Sequence, residues 1–159
     1  MSPRIRIDLS TQQLMLDLGH RRAVYPVSTS AQGAGERNGS GCTPRGAHIV
    51  RARIGAGAAP GTVFVGRRPT GEICTPELYA RATERDWILT RILWLSGREP
   101  GRNRLGDVDT MRRYIYIHGC PDEVAVGVPG SHGCIRMRNA DLIELFDQVP
   151  VGTPVMIDE

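Results

Sequence analysis

The sequence predicts a mainly β domain, a β-sandwich or barrel that carries one α-helix, and three observations lead there. Apolar and polar residues alternate in many short runs. Segments rich in Gly, Pro, Asn and Asp separate those runs. Only residues 139–147 combine a capping residue with a sustained apolar helix face. At 159 residues the chain has the size of a single domain with one core, spanning 1–159, and it shows no internal repeat or low-complexity tail.

Taken in order, Arg4-Ile5-Arg6-Ile7-Asp8-Leu9 is a period-two strand with one wet face. Gln13 to Leu18 alternates again, Gly19-His20 turns the chain, and Ala23 to Ser28 is a third strand. Residues 29–46 hold five glycines with Asn38, Ser40 and Pro44, a composition that predicts a long loop. Strand character returns at Ala47–Ile54, where His48 has no ligand partner near it in sequence, and at Val63-Phe64-Val65. Residues 67–86 are polar and turn-rich, with Thr75-Pro76-Glu77-Leu78 offering a helix start. Trp87 to Leu95 is the most apolar run, and its β-branched and aromatic content predicts a buried strand with both tryptophans in the core. Residues 97–110 form a second long loop, and two loops of such length are candidates to flank a cleft. Tyr114-Ile115-Tyr116-Ile117 reads as a strand that ends at His118. Asn139 reads as the N-cap of helix 140–147, whose apolar face is Leu142, Ile143, Leu145 and Phe146, and Thr153 to Ile157 reads as the last strand.

Composition narrows the function classes. The chain is 40% hydrophobic and 23% charged with a net charge of +3, and all 20 of its basic residues are arginine. They are scattered from Arg4 to Arg138. With no basic stripe interleaved with aromatics, nucleic-acid binding has no support. No run approaches the ~18 uninterrupted apolar residues of a membrane helix, so membrane insertion is not expected. The start, Met1-Ser2-Pro3-Arg4, shows no signal peptide. The expectation is a cytoplasmic protein with reduced thiols, or one of the periplasm or cell envelope if Met1 is not the native start.

The chemistry is concentrated between residues 117 and 136. A cysteine attacks carbonyls as its thiolate, so it needs a base beside it and donors to hold the oxyanion that attack creates. Cys134 sits in Ser131-His132-Gly133-Cys134-Ile135-Arg136, and sixteen positions upstream His118 ends a predicted strand. The twelve residues from Gly119 to Gly130 include Pro121, Gly127 and Pro129, enough turn chemistry to bring the two side by side. Gly133 leaves the backbone unobstructed, so the Gly133 and Cys134 amides are candidate oxyanion donors.

Ile117-His118-Gly119, followed after that gap by Ser131-His132-Gly133-Cys134-Ile135-Arg136, resembles the signature of the L,D-transpeptidase catalytic domain, the YkuD-type cysteine transpeptidases of peptidoglycan. The Gln13–Leu18, Tyr25-Pro26-Val27-Ser28 and Thr43-Pro44-Arg45-Gly46 segments resemble the same domain more loosely. The resemblance implies Cys134 as nucleophile, His118 as base, and the Gly119 backbone carbonyl orienting that imidazole. It also implies that His132 lines the oxyanion region with Gly133. Ser131 is read as supporting the turn. Arg136 has two readings, binding a substrate carboxylate or making a structural ion pair.

The reaction so implied is release of the terminal D-alanine from a peptidoglycan tetrapeptide stem or muropeptide through a Cys134 acyl-enzyme. An amine acceptor gives a 3→3 cross-link. Water instead gives a tripeptide, the L,D-carboxypeptidase outcome, which suits cytoplasmic peptidoglycan recycling. Carbapenem-type β-lactams are the implied inhibitors, and neither a cofactor nor a metal is expected. A separate reading pairs His118-Gly119-Cys120 with His132-Gly133-Cys134 as a two-His, two-Cys zinc module. It leaves Ser131, Ile135 and Arg136 unexplained, and it requires Cys120 as much as Cys134.

Overall fold

In the computed structural model, which describes residues 2–159, alternation becomes strand wherever one face can be buried. Ile5 and Ile7 enter the core while Arg4 and Arg6 stay wet, which makes β1 (Arg4–Asp8) a half-buried strand. β2 (Gln13–Asp17) and β3 (Arg22–Pro26) complete the opening meander. Next come β4 (Gly46–Ile54), β5 (Thr62–Val65) and β6 (Arg68–Ile73), then the one-turn helix α1 (Pro76–Ala80) and β7 (Ile88–Gly97). β8 (Tyr116–Gly119), β9 (Ile135–Met137), α2 (Asn139–Phe146) and β10 (Pro154–Asp158) finish the chain.

All ten strands belong to one sheet, curled into a half-barrel, in the order β3-β2-β1-β10-β4-β7-β5-β6, with β8 on β7 and β9 on β8. β10 lies parallel to β1 and antiparallel to β4. α2 packs across β7 and β8, burying Leu142, Leu145 and Phe146 against Leu93, Ile117 and Ile135 in the main core. Arg53 of β4 closes the far end of α2. Its guanidinium lies 4.1 Å from the Phe146 ring centroid and donates to the Phe146 carbonyl at 2.8 Å, a cation at the negative helix end. No helix among the described residues is long and apolar enough to cross a membrane.

Several expectations change. β6 forms inside the polar stretch 67–86, where almost every side chain is exposed and no apolar period marks a strand; pairing with β5 makes it one. The 114–117 strand begins two residues late and runs on through His118 and Gly119, because Tyr114 adopts φ +56°. Asn139 lies inside α2, with Arg138 at the cap making no side-chain bond there. The 97–110 loop folds back on the start of β4, where Asn103 donates to the Arg45 and Ala47 carbonyls, and it lines no part of the cleft described next.

Candidate active site

The two faces of β8 and β9 build the site. Ile117, Ile135 and Met137 are buried in the core, so Tyr116, His118 and Arg136 turn the other way. The parallel register sets Ile117 opposite Ile135 and His118 opposite Arg136, which brings Cys134, one residue before β9, level with Tyr116. His118 and Cys134 therefore line one cleft of about 300 Å³ from adjacent strands, one diagonal step apart.

His118 is 2% exposed, and its Nδ1 lies 2.6 Å from the Gly119 carbonyl. A carbonyl only accepts, so the proton is on Nδ1 and Nε2 keeps its lone pair. Burial holds the imidazole pKa below its usual value, so the ring is neutral, the form that accepts a proton. Cys134 is half-buried. Its thiol donates to the Tyr114 carbonyl at 3.3 Å and accepts from the Tyr116 N–H at 3.3 Å. Burial pushes the thiol up to about 12, overriding the Tyr116 N–H, which favours thiolate. The pair is thus a neutral thiol and a neutral imidazole, with the S–H directed at the Tyr114 carbonyl.

A break in β7 fixes the end of β8. Leu89 pairs with Gly119 and Ile92 with His118, so Thr90 and Arg91 bulge out of the ladder beside the imidazole. Thr90 sits at φ +78°, a costly conformation for a β-branched residue. Its hydroxyl donates to Asn139 Oδ1 at 2.6 Å and accepts from the Gly61 N–H at 3.0 Å, while Asn139 Nδ2 donates to the Cys120 carbonyl at 3.0 Å. That is where the expected capping side chain went: Asn139 ties α2 to the segment that carries His118.

The 131–134 turn closes on Ser131, whose hydroxyl donates to the Cys134 carbonyl at 2.6 Å and accepts from the Gly133 N–H at 3.2 Å. One of the two amides expected to face an oxyanion therefore points into its own turn. Gly133 has φ +131°, and a Cβ there would lie 3.2 Å from the Cys42 carbonyl, so only glycine fits. The 29–46 loop walls this turn from behind: Thr29 accepts from the Ser131 N–H at 2.9 Å, and the Thr43 hydroxyl donates to the Gly133 carbonyl at 2.9 Å. His132 is exposed and lines the cleft. Arg136 belongs to no ion pair among the described residues; it donates to the Gly130 carbonyl at 3.0 Å.

Sequence reasoning missed Arg67, Arg113, Tyr114 and Tyr116 as cleft residues. No motif marks them. Arg113 donates to the Gly35 and Cys42 carbonyls at 3.2 and 2.6 Å, joining the 29–46 loop to the cleft. Cys120 stands apart: it is buried, its thiol donates to the Met137 carbonyl at 3.5 Å, and it lines other depressions. The four zinc ligands of the metal reading do not converge. Among the described residues no three His, Cys, Asp or Glu side chains gather in metal-binding geometry.

Comparison with known proteins agrees in kind. "Probable L,D-transpeptidase YbiS" of Escherichia coli K12 is 50% identical over 48 residues, 30% of this chain and 16% of that protein. The fold matches L,D-transpeptidase 3 from Mycobacterium tuberculosis, solved with a faropenem-derived adduct, at a TM-score of 0.60 and 15% identity, covering 99% of this chain and 60% of that one. It also matches L,D-transpeptidase LdtMt1, solved in complex with imipenem, at a TM-score of 0.58 and 18% identity, covering 99% and 59%. The chain thus spans about three-fifths of these solved chains, and a smaller share of the curated relative aligns. The family model of the L,D-transpeptidase catalytic domain accounts for residues 2–157, and the chain belongs to that family, YkuD, a family of peptidoglycan enzymes.

Proposed function

We propose that this protein is a cysteine acyltransferase of peptidoglycan tetrapeptide stems, an L,D-transpeptidase that forms 3→3 cross-links. The observation that carries the reading is the His118 Nδ1 to Gly119 hydrogen bond. It presents a free, neutral Nε2 to the cleft that also holds the Cys134 thiol.

In the reaction, Sγ attacks the carbonyl carbon of the third stem residue while its proton passes to His118 Nε2. The Cys134 amide and His132 hold the oxyanion, joined by the Gly133 amide once it leaves Ser131. Collapse breaks the peptide bond, His118 returns the proton to the departing D-alanine amine, and a thioester remains. Aminolysis by a neighbouring stem forms the cross-link and restores the thiol. Hydrolysis by water forms the tripeptide instead, so the products, not the catalytic residues, distinguish the two outcomes.

Incubation with disaccharide tetrapeptide should release D-alanine, with mass spectrometry resolving dimer from tripeptide. Cys134→Ala should abolish release, whereas Cys120→Ser should retain it. Carbapenem-type β-lactams should acylate Cys134. Loss of activity in Cys120→Ser with the fold intact, or D-alanine release from Cys134→Ala, would overturn the assignment.

A further inference from the structure

Arg67 faces the cleft in a setting that the reaction as described leaves unused. It occupies the two-residue turn between β5 and β6, where Gly66 and Arg67 take φ +55° and +64°, the pair of positive angles a tight hairpin requires. Its guanidinium lies 4.9 Å from the Trp94 ring centroid and 5.0 Å from that of Tyr114, and it donates to the Tyr116 hydroxyl at 3.1 Å. Burial pushes the Tyr116 phenol up, which keeps that oxygen neutral and accepting. The two ring centroids lie 6.0 Å apart, so both rings sit to one side of the guanidinium, and beyond the Tyr116 bond its donors have no partner among the described residues.

Arg67 belongs to no ion pair among the described residues. Arg113 donates to the Gly35 and Cys42 carbonyls and Arg136 to the Gly130 carbonyl, contacts that tie both to the walls of the cleft. The two tyrosines that hold Arg67 by their side chains also hold Cys134 by their backbones. A fixed positive charge thus stands one tyrosine side chain from the sulfur.

We propose that Arg67 is a specificity-determining residue that binds the free carboxylate of the leaving amino acid, the one directly after the scissile carbonyl. Arg67 and Cys134 line the same cleft, and a carboxylate one residue beyond the attacked carbon lies about 3.5 Å further along it. A planar fork with unspent donors suits bidentate pairing with that group. A peptide whose terminal carboxylate is amidated, or displaced by an added residue, loses the contact. The proposal rests on the acyl-transfer reading above.

Two measurements test it, one of them independent of that reading. The first compares kcat/KM for a tetrapeptide ending in a carboxylate with its C-terminal carboxamide, in the wild type, Arg67→Met and Arg67→Lys. The second compares alkylation of Cys134 by iodoacetate and by neutral iodoacetamide, followed by mass spectrometry of the Cys134 peptide. The wild type should prefer the free acid by about 10- to 100-fold. Arg67→Met, which keeps an apolar stem against Trp94, should bring that preference close to one and lower the iodoacetate-to-iodoacetamide ratio; Arg67→Lys should keep part of both. Equal losses on acid and amide, or an alkylation ratio that Arg67→Met does not move, would overturn the proposal. If the wild type processes no stem peptide, the acyl-transfer reading fails, and the alkylation ratio still decides whether Arg67 confers anion preference.

Discussion

Gly119 shows how little room surrounds His118. A Cβ at this position would fall on Asn139 Oδ1 and lie 2.7 Å from the Leu89 carbonyl, neither of which can give way without breaking the bulge or the α2 tether. The Gly119 carbonyl is also the group that fixes the tautomer of His118. Gly119→Ala should therefore cost about 1–3 kcal/mol of stability by overpacking. It should also cut D-alanine release by about 100-fold, the cost of displacing a catalytic group by about 1 Å. Circular dichroism with the activity assay checks both, and a folded variant of undiminished activity would refute the positioning argument. At this scale a spaced motif pointed to His118 and Cys134, and both line one cleft. No motif pointed to Tyr114. Its contribution is a backbone carbonyl aimed at the sulfur by a positive φ, and no residue type announces that.

Elements were legible in proportion to how one-sidedly they are buried. β1 and β2 bury Ile5, Ile7, Leu14 and Leu16 on a strict period of two, and their register followed. β9 has only three residues; β8 pairs with one of its edges, and Ser28, just before the 29–46 loop, holds the other through mutual 2.9 Å bonds with Arg136. The β7 bulge was illegible for a related reason, since Thr90 and Arg91 interrupt a run whose composition is uniformly that of a strand. Thr90→Val keeps the shape but leaves Asn139 Oδ1 without its donor and the Gly61 N–H without its acceptor. About 1–3 kcal/mol should be lost for each buried group left unpaired, measured by urea unfolding. An unchanged midpoint would mean that the bulge does not need this hydroxyl.

β4 carries a second test, one of pH. His48 is fully buried; its Nδ1 donates to the Gly46 carbonyl at 3.0 Å, and its Nε2 accepts from the Thr110 hydroxyl at 2.9 Å, which leaves no site for a second proton. Burial lowers its pKa from 6.5 to about 4. Between those values the unfolded chain binds a proton that the folded one does not, so stability is complete above pH 6.5 and falls as pH drops towards 4. His118, shifted the same way, adds to the effect. Urea midpoints should decline through that window by more in the wild type than in His48→Gln. Equal slopes would show that His48 does not contribute.

For the whole molecule, the decisive feature is that both ends of the chain meet in the middle of the sheet. β10 separates β1 from β4, so among the strand pairings it is the last strand that joins the opening meander β1–β3 to the half that carries β7, β8 and the site. No local pattern could reveal this, because Thr153 to Ile157 reads as a strand wherever it pairs. Val155 and Ile157 are at most 1% exposed, and burying each contributes about 1.5–3 kcal/mol before the two ladders are counted. Against a typical domain stability of about 5–15 kcal/mol, removing the strand should cost most or all of it. Deleting residues 154–159 would bare the facing edges of β1 and β4 and uncover Ile5, Ile7 and Val50 of the main core. The truncated chain should show no cooperative thermal transition, lose its near-ultraviolet dichroism and release no D-alanine, although every cleft residue is retained. Cooperative melting with activity would mean that the β4–β7–β8–β9 half stands alone, and that β10 closes the sheet without being needed to form it.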